Sequence, residues 1–599
     1  MNHASVQSEP QVQVQPAQVH RMPWRSTLAL VLGVLALKLI YLAWLCPYPL
    51  IEDEAHYWEW SRRLDWSYYS KGPGVAWAIW LSTHTLGLSE FSVRAPAAIS
   101  AALGALCVAG LVRDATRSAR AGVYAAACFI LCPAFVVTSL LMTIDMPYSA
   151  CWAAAAWAGY RALCMNDRPA WVWMGAAIGL GVIFKYTMLL FVPGLVLAAF
   201  LTPRAARSAK GAIRVGSQAD AAARTTTVAT LASQTHPQPL LSGERRAFRT
   251  PYIVMGTLVA LLGLLPIVIW NAQNGWPTVH HLLGHLGVKG GDMPVVQGDA
   301  KGWHYSPLWT LEFVGLQVLM LGPALALVID AWRRRDADGT RLTRVQPGRM
   351  YMLAIALPLM VFYIGVTFIA EAEANWAVAS FVTLCGLAGW GASDAMDELG
   401  RRRAAWLALP AAQRPKAGIF RRSPESAGQI AWHWTIGVGV AVMLVIALLY
   451  PISRLPLIGP KVPMTRISGA REMAADAQAR LAELRAQGND PFVMTQLYGT
   501  ASQLAFYLPG HPVVYSASSQ TGGRKTQYDM WRRSDPLNTN INDPSLHGRA
   551  ALLVGATLGQ WQAAFERVEP APKLSGDRKR GREVFVGYGY RGFAAGATP

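Results

Sequence analysis

The stretch Ile51-Glu52-Asp53-Glu54-Ala55-His56-Tyr57-Trp58-Glu59-Trp60-Ser61 follows directly on the first strongly apolar segment, Thr27 to Cys46. Dragging such an acidic, aromatic cluster into lipid costs solvation energy, so it belongs in a watery cavity at the membrane surface. A carboxylate held there, wet on one side and facing lipid on the other, can take a proton from a hydroxyl group while a lipid-linked partner lies alongside. The stretch thus points to chemistry on a lipid-borne substrate.

The rest of the chain supports the membrane setting. Its 599 residues are 53% hydrophobic and only 15% charged, against about 25% charge in soluble proteins. Apolar runs close to the ~20 residues that cross a bilayer recur through the first three quarters. They cover Thr27–Cys46, Phe91–Val112, Ala121–Val137, Met146–Leu163, Ala170–Phe184, Met188–Leu201, Ile253–Trp270, Leu308–Trp332, Met350–Ile369, Trp376–Trp390 and Trp432–Leu449. Continuous apolar runs satisfy their backbone in lipid only as helices. The fold class is therefore a polytopic α-helical membrane protein, with roughly 11 to 13 spans.

The net charge of +19 is concentrated in particular loops. Arg113–Arg120, Pro203–Arg249, Arg333–Arg349 and Arg401–Arg422 are crowded with Arg and Lys, whereas Pro47–Glu90, Asn271–Pro307 and Ala370–Asn375 are acidic or nearly neutral. That alternation follows the positive-inside rule, with a cytoplasmic N-terminus and the acidic loops outside. The basic excess is read as topology, and nucleic acid is not an expected partner. Seven cysteines, none after Tyr450, imply neither a disulfide framework nor a zinc site.

Four regions follow. Residues 1–23 read as a disordered cytoplasmic tail. Residues 24–450 form the membrane module, with a first outer loop over 47–90 and a flexible cytoplasmic linker over 203–249. After Tyr450-Pro451 the composition changes. A helical pattern over Arg466–Gln487 and short strands over Pro491–Gln496 and Val513–Ser516 predict a small α/β domain over 451–599 on the outer side.

Four features converge on the outer face: Asp53-Glu54; Tyr68-Tyr69-Ser70-Lys71-Gly72-Pro73; Asp145 before Met146-Pro147; and the loop with Trp270-Asn271, Trp276, His280, His281 and His285. Tyr57, Trp58, Trp60, Trp66 and Tyr68 suit a helix lying flat at the interface, where aromatic belts are common. Asp53 would also suit a helix start, which leaves Asp145 unexplained. His281 and His285 have one-turn spacing, but without a paired acid they read as surface histidines.

The run from Asp53 through Pro73, followed by Phe91-Ser92-Val93-Arg94-Ala95-Pro96, resembles the bacterial branch of the protein O-mannosyltransferase and aminoarabinose-transferase superfamily, polytopic glycosyltransferases of the GT-C type (glycosyltransferase family 39-like). Gly179–Thr187, Pro266–Trp276, Trp309–Pro323, Glu373-Ala374-Asn375-Trp376, Ser502–Pro512 and Gln527–Trp531 fit the same branch, in the same order. The resemblance implies transfer of a sugar from a polyprenyl (undecaprenyl) phosphate donor to lipid A, another surface glycan or a protein, at a bacterial inner membrane with a periplasmic C-terminal domain. It makes Asp53 the catalytic base and Asp145 the second catalytic acid. Lys71, Arg94 and Lys185 become candidates for the donor phosphate, and Glu54, Tyr57, Tyr69, Glu312 and Asn375 for substrate binding. Inverting displacement is expected, with Asp53 accepting the acceptor's proton and cations stabilising the departing phosphate. Many relatives read Glu-Lys-Pro-Pro where this chain has Ser70-Lys71-Gly72-Pro73. The acid that can help hold a metal is thus missing. No cofactor is certain and no metal ligand is assigned, while a divalent ion stays open. The alternatives are a flippase of lipid-linked sugars, disfavoured by the absence of an internal repeat, and an assembly protein that binds partners through its tail.

Overall fold

The computed structural model describes residues 24–202, 251–285, 291, 305–333, 346–410, 427–456, 462, 464, 467–531, 537–575 and 582–593. The N-terminal tail and the 203–249 linker lie outside these residues. Each predicted span meets a helical element. Among the described residues, five helices are long and apolar enough to cross a bilayer by themselves: Trp24–Leu45, Glu90–Thr116, Pro251–Gln273, Pro347–Val366 and Ala427–Ser453.

The other predicted spans are shorter or interrupted, for local reasons. The third divides into α5 (Ala119–Leu131) and α6 (Pro133–Thr138) at Pro133, which has no N–H to continue the ladder. The predicted span Leu308–Trp332 is two helices, Pro307–Leu321 and Ala324–Arg333, bent by 89° at Gly322-Pro323. α8 (Ala170–Phe184) ends where Lys185 turns extended, and Tyr186–Thr202 continues beyond it. The predicted Trp376–Trp390 begins as a short turn, Ala374–Ala377, and runs on as Ser380–Ala408.

Small residues let helices meet backbone to backbone, as membrane bundles favour. A Cβ at Gly256 would stand 2.3 Å from the Trp171 carbonyl oxygen, and one at Gly263 would stand 2.2 Å from that of Gly179. This seam holds α8 against Pro251–Gln273. It brings Trp270 and Asn271 to the same end of the bundle as the 47–90 loop.

That loop folds as α2 (Glu52–Ser61) and α3 (Gly74–Leu86), joined to the bundle by α4 (Glu90–Thr116). α2 is not an interfacial helix. Tyr57, Trp58, Trp60 and Tyr68 are buried, and of those five aromatics only Trp66 faces outward. The C-terminal domain covers them: Trp58 stacks edge-on against Phe506 at 4.9 Å, and Arg62 and Arg63 donate to the carbonyls of His511 and Leu537.

The C-terminal domain carries a five-stranded mixed sheet in the order β2-β1-β3-β5-β4, with β1 Phe492–Thr495, β2 Val514–Ser516, β3 Ala551–Val554, β4 Phe565–Ala571 and β5 Val584–Tyr590. β1 pairs in parallel with β2 and β3 (Val493 opposite Val514, Phe492 opposite Ala551), and β5 is antiparallel to β3 and β4. The helix Tyr498–Tyr507 after β1 lies on α2 and fixes it. Leu50 N–H donates to the Tyr507 hydroxyl at 2.6 Å, Gln503 Nε2 donates to the Leu50 carbonyl at 2.9 Å, and the Tyr507 hydroxyl donates to Glu90 at 2.6 Å. The predicted α/β tail is therefore present and packed on the loop end of the membrane module.

Candidate functional site

Between the bundle end and this domain lies a polar cavity of about 450 Å³. Its lining includes Asp53, Tyr57, Tyr69, Lys71, Asp145, Lys185 and Asn375 from the membrane module, and Tyr498, Arg524, Lys525, Thr526 and Gln527 from the C-terminal domain. Seven of the ten residues expected from sequence thus share one chamber.

Asp53 stands in the first turn of α2, where three acids complement the positive helix start. It is exposed on the chamber side, with protein packed around its other sides thinning its hydration. This desolvation pushes its carboxyl above the usual range; Lys71 and then Arg524 oppose the rise, while Glu52 and Asp145 add to it. Desolvation, then, outweighs the lysine. Lys71 is pulled down to about 8, first by desolvation and then by Lys185, against Asp145 and Asp53.

The loop bearing Lys71 sits tightly on the end of α8. A Cβ at Gly72 would fall 2.3 Å from the Ile183 carbonyl oxygen, so no side chain fits there. The departure from Pro at this position is a packing requirement of this chain, and it sets Lys71 beside Lys185.

Asp145 begins α7 (Asp145–Cys164) and is buried, with both oxygens engaged. Lys185 Nζ donates to Oδ1 at 2.9 Å, and Asn375 Nδ2 donates to Oδ2 at 2.8 Å. Three distant stretches of chain are tied together by this carboxylate. Gln317 Nε2 holds the Ala374 carbonyl at 2.9 Å and so places Asn375. The Tyr69 backbone N–H donates to Gln527 Oε1 at 2.6 Å; among the described residues the buried Tyr69 hydroxyl has no hydrogen-bond partner.

Three expected site residues lie elsewhere. Arg94 does not face the chamber: Nε and Nη2 grip Glu54 at 2.8 and 2.6 Å, and Nη1 and Nη2 also donate to the carbonyls of Tyr48 and Pro49. Glu54 is equally committed, accepting from the backbone N–H of Met142 at 2.9 Å and of Ile51 at 3.1 Å. This sealed pair pins the loop to α4, so neither partner is available to phosphate or substrate. Glu312 is exposed on Pro307–Leu321 and is not among the lining residues. A fourth expectation also changes: His281 is buried, lines the chamber and lies 5.2 Å from the Tyr69 ring. The side chain of His285 lies outside the described residues. Among the described residues, no group of three or more His, Cys, Asp or Glu is placed to hold a metal ion.

Sequence reasoning missed the contributions of the C-terminal domain and of His56. The Trp60 indole, which can only donate, gives its N–H to His56 Nε2 at 3.1 Å; the imidazole proton therefore sits on Nδ1, facing Ser502 at 3.1 Å. Burial, aided by Arg524, drives the His56 pKa down to about 3, so the ring is neutral. The faint signal for this wall was that Ser502–Pro512 and Gln527–Trp531 carried the family likeness.

A polytopic bundle with a carboxylate, paired lysines and a roofed chamber at one end defines a membrane protein of the GT-C fold. Residues 70–216 match the family model described as dolichyl-phosphate-mannose-protein mannosyltransferase. The crystal structures of ArnT from Cupriavidus metallidurans, in the apo state and bound to undecaprenyl phosphate, each superpose with a TM-score of 0.54, at 16% identity over 94% of this chain and 98% of theirs. A curated relative is the lipid A galacturonosyltransferase RgtD of Rhizobium johnstonii, 24% identical over 377 residues; the match covers 61% of this chain and 65% of that protein. The structural match shows the fold, and the family-model and curated matches are similarities in line with the resemblance read from the sequence motifs.

Proposed function

We propose that this chain is a glycosyltransferase that moves a sugar from a polyprenyl phosphate to a hydroxyl of an acceptor such as lipid A on the extracytoplasmic face of a bacterial inner membrane. The observation that carries this reading is the chamber at the bundle end, where an open carboxylate, Asp53, faces Lys71 beside the locked pair Lys185–Asp145. The solved relative that binds undecaprenyl phosphate and the curated relative that acts on lipid A support the same classes of donor and acceptor.

The chemistry follows from the groups present. A sugar on a lipid phosphate already has a good leaving group, so the need is for a base and for cations. Asp53 takes the proton of the attacking hydroxyl, and its raised affinity for protons suits it to that role. The acceptor oxygen bonds to the anomeric carbon from one side. The bond to the phosphate oxygen breaks on the other, its electron pair leaving with the polyprenyl phosphate and the anomeric centre inverting. Lys71, with Lys185 behind it, neutralises the growing charge. Asp145 acts as a positioning residue, since both its oxygens hold Lys185 and Asn375. No step is assigned to a metal.

The test is transfer by purified protein in lipid discs from a polyprenyl-phosphate sugar to lipid A, followed by mass spectrometry. Product formation that disappears in Asp53→Asn is the expected result. Full turnover by that variant removes the base assignment, and lipid-linked sugar crossing the bilayer with no glycosylated product favours a flippase.

A further inference from the structure

We propose that Arg524 selects the transferred sugar by pairing with a carboxylate on it, so that the donor is a polyprenyl-phosphate uronic acid. The proposal rests on the glycosyl-transfer reading above and assigns its substrate class to a residue.

The argument starts from where the cations lie. Lys71 and Lys185 belong to the wall formed by the bundle end, with Lys185 spent on Asp145 at 2.9 Å. A phosphate esterified to a membrane-bound isoprenoid must stay near that wall, and as a diester it carries one negative charge, which Lys71 matches. The sugar then extends away from the lipid, toward the wall built by the C-terminal domain.

Arg524 and Lys525 face the chamber from there. Among the described residues the Arg524 guanidinium is in no salt bridge; it lies against Tyr498, 5.8 Å from the ring centre, and reaches Asp53 and Lys71 only through space. Its backbone is held in place. Ser518 Oγ donates to the Arg524 carbonyl at 3.0 Å, Asp529 accepts from the Thr526 N–H at 2.6 Å, and Gln527 is clipped to the Tyr69 N–H. A guanidinium presents a planar fork that matches a carboxylate with two hydrogen bonds. An amino sugar at this wall would meet two like charges instead. The curated relative, at 24% identity, is itself named for a uronic acid.

The test uses the full chain in lipid discs with two synthetic donors, polyprenyl-phosphate galacturonate and polyprenyl-phosphate galactose, which differ only in the carboxylate. Lipid A with and without its phosphates serves as acceptor. Wild type should prefer the galacturonate donor. Arg524→Gln should raise KM for that donor roughly 10- to 100-fold, the loss expected of a hydrogen bond to a charged group. It should cost galactose transfer far less than galacturonate transfer and leave the unfolding midpoint unchanged, and Arg524→Lys should fall between. Equal losses on both donors, a loss seen only with phosphorylated acceptor, or a wild-type preference for galactose would each overturn the proposal. Turnover of neither donor by wild type overturns the glycosyl-transfer reading itself, a result distinct from a failure of Arg524 alone.

Discussion

Asp53 and Glu54 are adjacent in the chain and opposite in circumstance. Glu54 points into the bundle, where Arg94 and two backbone N–H groups saturate it; Asp53, about 100° around the helix, opens on the chamber and meets Lys71 only through space. The sealed pair spends its charges on holding the loop, whereas the open group keeps its charge available. A carboxylate desolvated but left without partners stays reactive, and one buried with every partner becomes structural.

The sharpest way to break this contrast is to neutralise each acid. Asp53→Asn should lower transfer by about 10²–10⁴-fold, the usual worth of a general base, with an unchanged unfolding midpoint in detergent. Glu54→Gln should do the reverse: it leaves the Arg94 charge buried without its partner, at a cost of about 3–5 kcal/mol of stability, while correctly folded molecules retain their turnover. If Glu54→Gln proves stable but inactive, the division of roles is wrong.

A smaller effect comes from the loop that carries Lys71. Gly72→Ala drives a Cβ into the Ile183 carbonyl. Overpacking costs about 1–3 kcal/mol, and the displaced lysine should raise the KM for the lipid donor in steady-state assays, with insertion into the membrane unaffected.

The pH profile sharpens the same picture. Asp53 works deprotonated, so kcat/KM should fall as pH drops through a value above the ordinary carboxylate range. Lys71 works as a cation, so kcat/KM should fall again as pH rises through about 8. Lys71→Arg should move only the alkaline limb upward. The smallest expected effect is that of chelation: we propose that EDTA leaves turnover unchanged, and a loss restored by a divalent ion would refute this.

Much of the fold was legible because lipid imposes a simple rule, that every backbone group must be satisfied within an apolar run. The positions of the spans followed from it. The breaks at Pro133, Gly322-Pro323 and Lys185 were visible as residues but not as bends, since a bend angle depends on what the helix packs against. In the site, Asp53, Lys71, Asp145 and Lys185 stood out because charges at the ends of apolar segments are costly without a use. The same logic misplaced Glu54, Arg94 and Glu312, because a charge near a membrane can be spent on a buried partner or on solvent as readily as on a ligand. His56, Tyr498 and Arg524 were hidden, since their importance comes from a domain folding over a loop more than 400 residues away in the chain.

The amino-acid sequence by itself determined that this protein crosses a membrane repeatedly, that its first loop holds an acid and a lysine at the surface, and that a small α/β domain follows; hydrophobicity and spacing are local properties of the chain. Only the tertiary structure decided which of two neighbouring acids is reactive, that Lys71 and Lys185 stand together, and that the C-terminal domain supplies one wall of the chamber. Those outcomes depend on which partners reach each buried charge, and partners arrive from parts of the chain that no local pattern connects.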